Sequence, residues 1–295
     1  NNSLVGGVIL SRSSERTEEM DKVSYIAILM ATCNGALYLR EQIDSLLCQT
    51  FTNWHLYIHD DGSIDGTRDI IDSYIQAYPA KITLLDYPTQ GSACRNFFSL
   101  LETVDAPYYM FCDQDDVWLP EKIEKTFGRM QALERQFPGK PVIVHSDLML
   151  VDEALHTLDT SFIRNQQIKL EAIKTFEDYA ATNTMTGCTM LFNNQTKQCT
   201  KRPYEKAIMH DAWICLSIVS QQGIVDFIDE SLIKYRQHSN NTLGAQDMSK
   251  QTLGHKLKHI RRQISDNIRH YQEMNAVKRL SAIDFLKAKL RYKRY

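Results

Sequence analysis

Three carboxylates crowd into the segment that reads MFCDQDDVWLP: Asp113, Asp115 and Asp116. The apolar and aromatic residues around them are typical of buried structure, where like charges repel and dehydration is costly. A bound cation would compensate this charge. Clustered carboxylates suit Mg²⁺ or Mn²⁺, which complete their coordination with water and substrate phosphates. The segment therefore predicts a metal site that receives a diphosphate.

One of these acids has an alternative structural role. Asp115 and Asp116 lie shortly before Pro120, where a helix is expected to begin, and Asp in such a position commonly caps a helix. We keep that role open for Asp116. A single cap does not account for three acids.

A second acidic pair, Asp60-Asp61, ends a predicted strand and opens a turn. Ser63 or Asp65 has the type and position of a turn or helix-capping residue. Asp61 is a candidate acceptor of hydrogen bonds from a pyrimidine ring N–H or a ribose. The sequence has no Gly-x-Gly-x-x-Gly loop and no Walker loop, so it supports neither a dinucleotide oxidoreductase nor a P-loop ATPase.

Two further candidates lie in the second half of the chain. Asp211 precedes an apolar helix, where an acid is usually an N-cap, but it is also the best-placed acid there for deprotonating a sugar hydroxyl. His238 follows an apolar strand and is a candidate ligand for a metal or a phosphate, although a single histidine is more often merely exposed.

Alternating strands and helices are expected to position these residues. Apolar runs predict strands over 24–31, 54–59, 81–86, 108–112 and 141–144, and the segments between them have helical spacing. This alternation predicts a doubly wound, Rossmann-like α/β fold with a mostly parallel sheet and helices on both faces. Ligands bind beyond the carboxyl ends of such strands, where the acidic clusters fall. The less regular second half is predicted to contain helices near 175–181 and from 210, and strands over 188–192 and 224–235.

Composition places the chain among soluble globular proteins. Its 295 residues are 43% hydrophobic and 24% charged. The longest apolar runs fall short of the roughly 20 residues that span a bilayer. Seven cysteines lie scattered without a Cys-x-x-Cys pair, which favours reduced thiols in a cytoplasmic chain over disulfides or a zinc knuckle.

Charge is segregated along the chain. Residues 250–295 contain 13 Lys or Arg and 3 Asp or Glu, a formal charge of +10, so the preceding 249 residues carry −12 of the overall −2. Apolar residues recur every three or four positions from Leu253 to Tyr271 and from Leu280 to Leu290, which predicts amphipathic helices. These helices either pack on the catalytic domain or another subunit, as in a homodimer, or lie on anionic lipid. Nucleic acid is not an expected partner, because aromatic interleaving and known binding motifs are lacking.

Three regions are expected. We interpret 1–19 as an N-terminal extension or expression scar, 20–245 as the catalytic domain and 246–295 as a basic helical tail. Within 20–245, the family resemblance described next implies that 20–118 would bind a nucleotide sugar and 119–245 the acceptor.

An ordered set of motifs resembles family 2 of the inverting glycosyltransferases, over roughly residues 24–241. The resemblance implies a GT-A fold, a nucleotide-diphosphate sugar donor and Mn²⁺ or Mg²⁺. Segments 185–190, 210–213 and 235–238 are most similar to bacterial rhamnosyltransferases of surface polysaccharide synthesis. The motifs are Ala31-Thr32-Cys33-Asn34-Gly35, Tyr38-Leu39, Ser45-Leu46-Leu47-x-Gln49-Thr50, Asp60-Asp61-Gly62-Ser63-x-Asp65-Gly66-Thr67 and Asp113-x-Asp115-Asp116-x-Trp118-x-Pro120.

The resemblance also implies roles for individual residues. It puts Ala31 and Asp61 at the nucleobase, Asp113 at the ribose and diphosphate, and Asp211 at the position of the catalytic base. The implied metal ligands are Asp115, His238 and Asp113. The implied nucleotide-sugar-binding residues are Ala31, Thr32, Asn34, Asp60, Asp61, Arg95, Asp113, Gln114 and Asp116.

The function implied is a hexosyl transfer, with inversion, from a nucleotide sugar to a lipid-linked glycan at the inner face of the cell membrane. dTDP-L-rhamnose is the expected donor, with a UDP-hexose or UDP-galactofuranose as the alternative. Cys33 replaces the aromatic residue usual before Asn34, and the Gln-x-x-Arg-Trp signature of processive synthases is absent, so one or a few sugars per acceptor are expected. A nucleotidyltransferase, which would release pyrophosphate, and a non-catalytic nucleotide-sugar-binding module remain open as alternatives.

Overall fold

A computed structural model describes residues 25–182, 185–238 and 268–293 of the chain. Its described residues form one sheet of nine strands with helices packed on both faces. Residues 1–19 and the first predicted tail stripe, as far as Ile264, lie outside these ranges.

The first half alternates strands and helices as predicted. Four parallel strands lie in the order β3-β2-β1-β4. The first strand, β1, therefore lies inside the sheet, with β2 and β3 on one side and β4 on the other. The elements are β1 (Ile26–Thr32), α1 (Leu39–Leu47), β2 (Trp54–Asp60), α2 (Thr67–Ala77), β3 (Ile82–Leu84), α3 (Ala93–Thr103) and β4 (Tyr108–Cys112).

The second half continues the same sheet and ends in a helical extension. Two 3₁₀ turns, 170–172 and 187–189, interrupt it. The elements are β5 (Val117–Trp118), α4 (Lys122–Gln136), β6 (Val142–Val151), β7 (Thr157–Asp159), α5 (Phe162–Asn165), α6 (Phe176–Ala181), β8 (Met190–Asn193), α7 (Asn194–Cys199), α8 (His210–Val219), β9 (Ile224–Arg236), α9 (268–277) and α10 (Ala282–Lys293).

The sheet is mixed, although most of its long strand pairs are parallel. β8 lies between β4 and β6 and is antiparallel to both, while β6 and β9 run parallel. The two-residue β5 pairs antiparallel with β9. The predicted mostly parallel α/β sheet is therefore confirmed, and both predicted halves of the catalytic domain contribute strands to it.

Two apolar layers enclose the sheet. On β1, Ile26, Ile28 and Met30 face the layer that contains α1, α2 and α4, and Ala27 and Leu29 face the layer that contains α3, α8 and the tail helices. All five side chains are fully buried. A parallel strand covered on both faces reads as a continuous apolar run, which explains why this strand was predictable from its sequence.

Strand register brings the polar strand ends together at one edge of the sheet. Thr32 at the end of β1 pairs with Asp60 at the end of β2. On the other side of β1, Met30 pairs with Cys112, the last residue of β4. The loops after β1, β2 and β4 therefore meet at one rim, as the sequence predicts.

The tail folds back on the catalytic domain through one face of α10. Phe285 and Ala288 are buried, and a guanidinium nitrogen of Arg291 lies 3.6 Å from Asp178 of α6. The opposite face exposes large apolar side chains. They are Ile283 (65% exposed), Leu286 (56%) and Leu290 (59%). Among the described residues, the longest apolar stretch of any helix is too short or too polar to span a bilayer.

Candidate active site

The loop from Asp113 to Asp116, here called the acid loop, leaves the carboxyl end of β4 at the rim. Asp115 is 19% exposed and its Oδ2 lies 2.7 Å from Nε2 of His238, which follows β9. The two residues are 123 positions apart in sequence. The structure therefore brings together two of the three predicted metal ligands.

Arg236, the last residue of β9, holds the acid loop from beneath. Its side chain is 2% exposed, and its Nε donates to the backbone carbonyl of Asp115 at 2.9 Å. Its two terminal nitrogens donate to the carbonyl of Glu153 and to the carboxylate of Glu41. The guanidinium also stacks over the ring of Tyr38, at 4.4 Å from the ring centre. Tyr38 and Arg236 belong to the segments that carry the family resemblance, but no role was predicted for either of them, and Glu41 was not predicted as part of the site.

Asp116 points into the protein rather than along the rim. Its side chain is 1% exposed, and Oδ1 accepts a hydrogen bond from the backbone N–H of Arg236 at 3.1 Å. Its Oδ2 is buried without a hydrogen-bond partner among the described residues. The helix-capping role considered for Asp116 is therefore wrong, because this carboxylate binds β9 instead of α4.

A buried ammonium group lies below the acid loop. Lys122, at the start of α4, is fully buried, and its Nζ lies 3.3 Å from the centre of the Trp118 ring. Burial lowers the pKa of Lys122 to about 7, while Cys188, Cys112 and Asp116 act in the opposite direction. This cation offsets part of the negative charge of the acid loop.

Burial and mutual repulsion raise the pKa values of two carboxyl groups in the acid loop. Burial, Asp115 and Asp211 together raise the pKa of Asp113 to about 7. The pKa of Asp116 is raised well above its ordinary value by burial and by the charges of Asp115 and Asp113. A divalent cation would relieve this cost, since it favours the ionised carboxylates.

The donor set fits a hard cation. Among the described residues, potential ligand atoms of Asp113, Asp116 and Cys188 all lie within 4.8 Å of one another. Burial raises the pKa of the Cys188 thiol well above its ordinary value, and sulfur ligands suit softer metals than carboxylate oxygens do. The carboxylate oxygens that remain suit Mg²⁺ or Mn²⁺.

The loops after β1 and β2 are joined by the predicted nucleotide-site residues. Asp60 accepts from the hydroxyl of Thr32 at 2.9 Å and from the backbone N–H of Ser63 at 2.9 Å. Asp61 accepts from the backbone N–H groups of Gln90 and Gly91, the latter at 2.9 Å. Asp61 therefore orders the 90–91 loop, while its carboxylate oxygens retain further acceptor capacity towards a ligand.

Asn34 and Gln114 also stabilise loops at the rim. Asn34 has φ of 50°, and its Oδ1 accepts from the N–H of Ile64 at 2.9 Å. Gln114 forms two hydrogen bonds with the backbone of Cys33, at 2.9 and 3.0 Å. The side chain of Gln114 lies where a Cβ on Gly35 would be, only 2.3 Å away, which explains the glycine at that position. Ala31, near the end of β1, lies beside these loops.

The start of α3 contributes a cation to the same rim. Arg95, on the first turn of α3, is exposed, and its guanidinium has no hydrogen-bond partner among the described residues. Asn96 beside it is buried, its Oδ1 accepts from Nδ1 of His59 at 2.8 Å, and the His59 ring stacks on Tyr87. Arg95 is thus held on a rigid base and remains available to an anion.

Asp211 lies in the first turn of α8 and approaches the acid loop from the other side. It is 4% exposed, and its two oxygens accept from the backbone N–H of Gly187 at 3.0 Å and of Ala212 at 2.6 Å. The N-cap residue of α8 is Met209, so the capping role considered for Asp211 is wrong. Burial raises the pKa of Asp211 to about 6 despite these two hydrogen bonds, so the carboxylate readily accepts a proton near neutral pH.

Comparison with known proteins gives matches along most of the chain. Residues 27–194 match the family described as Glycosyl transferase family 2. The dTDP-rhamnosyl transferase RfbG of Shigella flexneri is 29% identical over 231 residues, which are 73% of this chain and 74% of that protein. An uncharacterized glycosyltransferase of Rickettsia prowazekii is 33% identical over 45% of this chain, which spans 39% of that protein's length.

A solved structure has a similar fold. The mannosyltransferase PcManGT of Pyrobaculum calidifontis, in complex with GDP-Man and Mn²⁺, matches with a TM-score of 0.59 and 14% identity over 92% of this chain and 69% of that one. At this identity the likeness concerns the fold, and it confirms the predicted GT-A architecture.

Proposed function

Because this chain belongs to glycosyl transferase family 2, we propose that it moves a hexosyl group from a nucleotide sugar to a hydroxyl, with inversion at the anomeric carbon. The observation that carries the proposal is the approach of Asp211 to the acid loop. Asp211 accepts from the N–H of Gly187 at 3.0 Å, and the sulfur of the next residue, Cys188, lies within 4.8 Å of carboxylate oxygens of Asp113 and Asp116. Asp211, a carboxylate whose pKa lies near neutral pH, therefore lies opposite a separate group of acids. A base and a leaving-group site must be separated in this way for the transfer.

The donor would lie along the rim formed by the loops after β1, β2 and β4. Ala31, Thr32, Asn34, Asp60 and Asp61 surround the proposed nucleoside end. Asp113 and Gln114 belong to the diphosphate end, while the inward-pointing Asp116 supports this loop through its hydrogen bond with Arg236. The exposed guanidinium of Arg95 supplies a positive charge for a phosphate. We take dTDP-L-rhamnose as the donor, because RfbG, a dTDP-rhamnosyl transferase, aligns over three quarters of its own length. A UDP-hexose or UDP-galactofuranose is the alternative.

Asp211 would accept the proton of the acceptor hydroxyl. At the same time the hydroxyl oxygen would attack the anomeric carbon on the side opposite the diphosphate. The N–H of Gly187 and the first turn of α8 hold that carboxylate in one orientation. Asp115, Asp113 and His238 are the proposed ligands of Mn²⁺ or Mg²⁺. When bound, such an ion neutralises negative charge on the departing diphosphate. Arg236 keeps the ligand-bearing loop in place.

The acceptor is proposed to be a lipid-linked saccharide used in surface polysaccharide synthesis, and the enzyme to lie at the inner face of the cell membrane. The exposed stripe of α10 supports this proposal, because its apolar side chains are accompanied by the cations Lys287 and Arg291. Cationic amphipathic helices with such faces bind anionic lipid surfaces. A homodimer through this face would be the alternative use of the same stripe.

A panel of nucleotide sugars tests the reaction and the donor together. Each sugar is incubated with the protein and Mn²⁺ or Mg²⁺, with and without lipid-linked acceptor, and free nucleoside diphosphate is measured. We expect release from dTDP-rhamnose, and its loss in Asp115→Ala. Release of UDP from a UDP sugar would change the proposed donor, while the proposed transfer reaction would stand. Pyrophosphate release would indicate a nucleotidyltransferase, and binding without any turnover a non-catalytic module.

Asp211→Asn tests the assignment of the base. The amide keeps the size of the side chain and its acceptor oxygen for Gly187 but cannot accept a proton. We expect kcat to fall by about 10²–10⁴-fold, the usual contribution of a general base, with little change in donor affinity measured by calorimetry. Retention of most of the activity would show that the base lies elsewhere.

A further inference from the structure

The tail helix α9 contacts the segment that leads into Asp211. Its residue Glu273 is 1% exposed. One carboxylate oxygen of Glu273 accepts a hydrogen bond from the backbone N–H of Ile208 at 2.8 Å, three residues before Asp211. The other lies 3.1 Å from Nδ1 of His270, one turn earlier on the same helix. A charged side chain of the tail is therefore built into the approach to α8.

His270 extends this contact to a second segment. Its Nε2 lies 2.7 Å from the carbonyl oxygen of Ala180, on α6. Because a carbonyl oxygen can only accept, Nε2 carries a proton. The contact between His270 and Glu273 requires a second proton, on Nδ1 or on the carboxylate. The two side chains thus connect Ile208 to Ala180 through a continuous chain of hydrogen bonds.

Both connected segments lead to Asp211. The chain enters α8 directly after Ile208, so the position of that backbone sets where the first turn of α8 begins. On the other side, α6 precedes the 187–189 turn, and the N–H of Gly187 in that turn donates to Asp211 at 3.0 Å. The tail therefore contacts the backbone that leads into the helix bearing Asp211, and it also contacts α6, which precedes the turn that donates to Asp211.

We propose that Glu273, together with His270, is a positioning residue for the transfer reaction. It fixes the Ile208 backbone and thereby the placement of Asp211 opposite the acid loop. The inference rests on the proposed function, since it takes Asp211 as the base. It also gives the tail a part in the reaction, although the tail lies outside the residues that match the family.

Two substitutions at Glu273 test the proposal. Glu273→Ala removes both hydrogen bonds, and we expect kcat to fall by about 10- to 100-fold with an unchanged KM for the donor, as a misplacement of about 1 Å can cost. Glu273→Gln can still accept from Ile208 and donate to Nδ1 of a neutral His270. We expect it to restore kcat to near the wild-type value. Equal kcat values for the Ala variant and the wild type would overturn the proposal.

Ser281→Ala serves as a matched control for loosening of the tail. The Ser281 hydroxyl accepts from the N–H of Asp284 at 3.1 Å and caps α10, but it does not touch the Ile208 segment. We expect a lower melting temperature with kcat retained. If the control lowers kcat as much as Glu273→Ala does, tail stability alone accounts for the effect and the positioning role fails.

A second route keeps the test valid if Glu273→Ala does not fold. His270 is partly exposed, and His270→Ala breaks the contacts with Ala180 and Glu273 but leaves the hydrogen bond from Ile208 to Glu273, so a smaller fall in kcat at constant donor KM is expected. Unchanged kcat there would count against the proposal.

Asp211→Asn, measured in the same assay, distinguishes a failure of the proposed base from a failure of the positioning role of Glu273. If that variant stays active, the proposed base and the positioning role both fail. If it is inactive while Glu273→Ala is fully active, only the positioning role fails.

Discussion

The proton affinity of Asp211 predicts how activity depends on pH. An ordinary Asp has a pKa of 3.8, whereas burial raises that of Asp211 to about 6. Only the ionised form could act as the proposed base, so kcat is expected to be constant above that pH and to fall about tenfold per unit below it. The measurement is kcat from pH 4.5 to 8.5 at saturating donor and Mn²⁺. An acid limb centred near pH 4 would contradict the burial of this carboxylate in the working enzyme.

Arg236 is the residue whose loss should most disturb the acid loop. Arg236→Met deletes the donors to the carbonyls of Asp115 and Glu153, and each buried acceptor left unpaired costs about 1–3 kcal/mol. We expect reduced stability to urea and about 10- to 100-fold weaker Mn²⁺ binding, the usual effect of removing a group that supports a metal ligand.

Arg129→Met is the matched control for that substitution. Arg129 pairs with Asp226 at 2.6 Å but is 49% exposed and lies away from the acid loop. Exposed ion pairs contribute about 0–1 kcal/mol, so stability and Mn²⁺ affinity should change little. Equal effects of the two substitutions on Mn²⁺ binding would remove Arg236 from the site.

Some site residues are predictable from sequence because their partners are local or follow from strand register. Asp60 and Asp61 end an apolar strand, and Asp113 and Asp115 follow another, so the rim could be inferred without coordinates. Arg236 could not, because its partners Glu41 and Glu153 are 195 and 83 residues away in sequence and no local pattern marks them. The inward orientation of the Asp116 side chain was not predictable for the same reason, because its partner Arg236 is also distant in sequence.

Helices and strands were predictable from the sequence where the pattern of apolar residues is strong. The strand ending at Cys112 lies where predicted, since its buried run is bounded by polar residues. β6 is predicted as a short strand over 141–144 but extends through the polar residues His145, Ser146 and Asp147 to Val151, because the end of β9 pairs with its second half. The predicted start of a strand at Cys188 is wrong, since 187–189 form a 3₁₀ turn and β8 begins at Met190. Pairing between distant segments sets those boundaries.

The exposed face of α10 predicts binding to anionic vesicles. Replacing Ile283, Leu286 and Leu290 together by Ser removes the apolar stripe, while the buried Phe285 and Ala288 still hold the helix on the domain. We expect the variant to lose cosedimentation with phosphatidylserine-containing vesicles while keeping its nucleoside diphosphate release from free donor.

Leu158→Ser provides the control for that experiment. Leu158 on β7 is 61% exposed, comparable to the α10 residues, but belongs to a different surface. Its variant should sediment with vesicles like the wild type. If the triple variant also binds vesicles normally, the stripe serves another purpose, and a change in its oligomeric state by light scattering would identify a subunit interface.

Across the whole molecule, the acid loop couples stability to pH and metal. The pKa of Asp113 is raised to about 7 in the folded protein, so the folded state favours its neutral form, and that stabilisation is lost as pH rises from about 4 through 7. Buried His145 and His210 act in the opposite sense, because burial lowers their pKa values to about 4 and about 3. The total pH slope therefore mixes both effects, and a substitution is needed to separate them.

Asp113→Asn isolates the contribution of the acid. Without metal, the stabilising advantage of the variant should grow between pH 5 and pH 7.5, since Asn stays neutral where Asp must ionise. With saturating Mn²⁺ at pH 7.5 the order should reverse, because the ion favours the ionised wild-type carboxylate. Melting temperatures of both proteins under these three conditions provide the measurement. An advantage independent of pH would show that Asp113 ionises freely.

The pairing of β9 with the acid loop also bears on how the protein is made. Asp115 and Asp116 leave the ribosome some 120 residues before Arg236 and His238, the groups that hold them. Until β9 has been synthesised and has paired with β5 and β6, these acids lack their partners and the site cannot assemble. Chain termination before residue 238 would remove His238 from the acid loop, and we expect such a fragment to lack the proposed transfer activity.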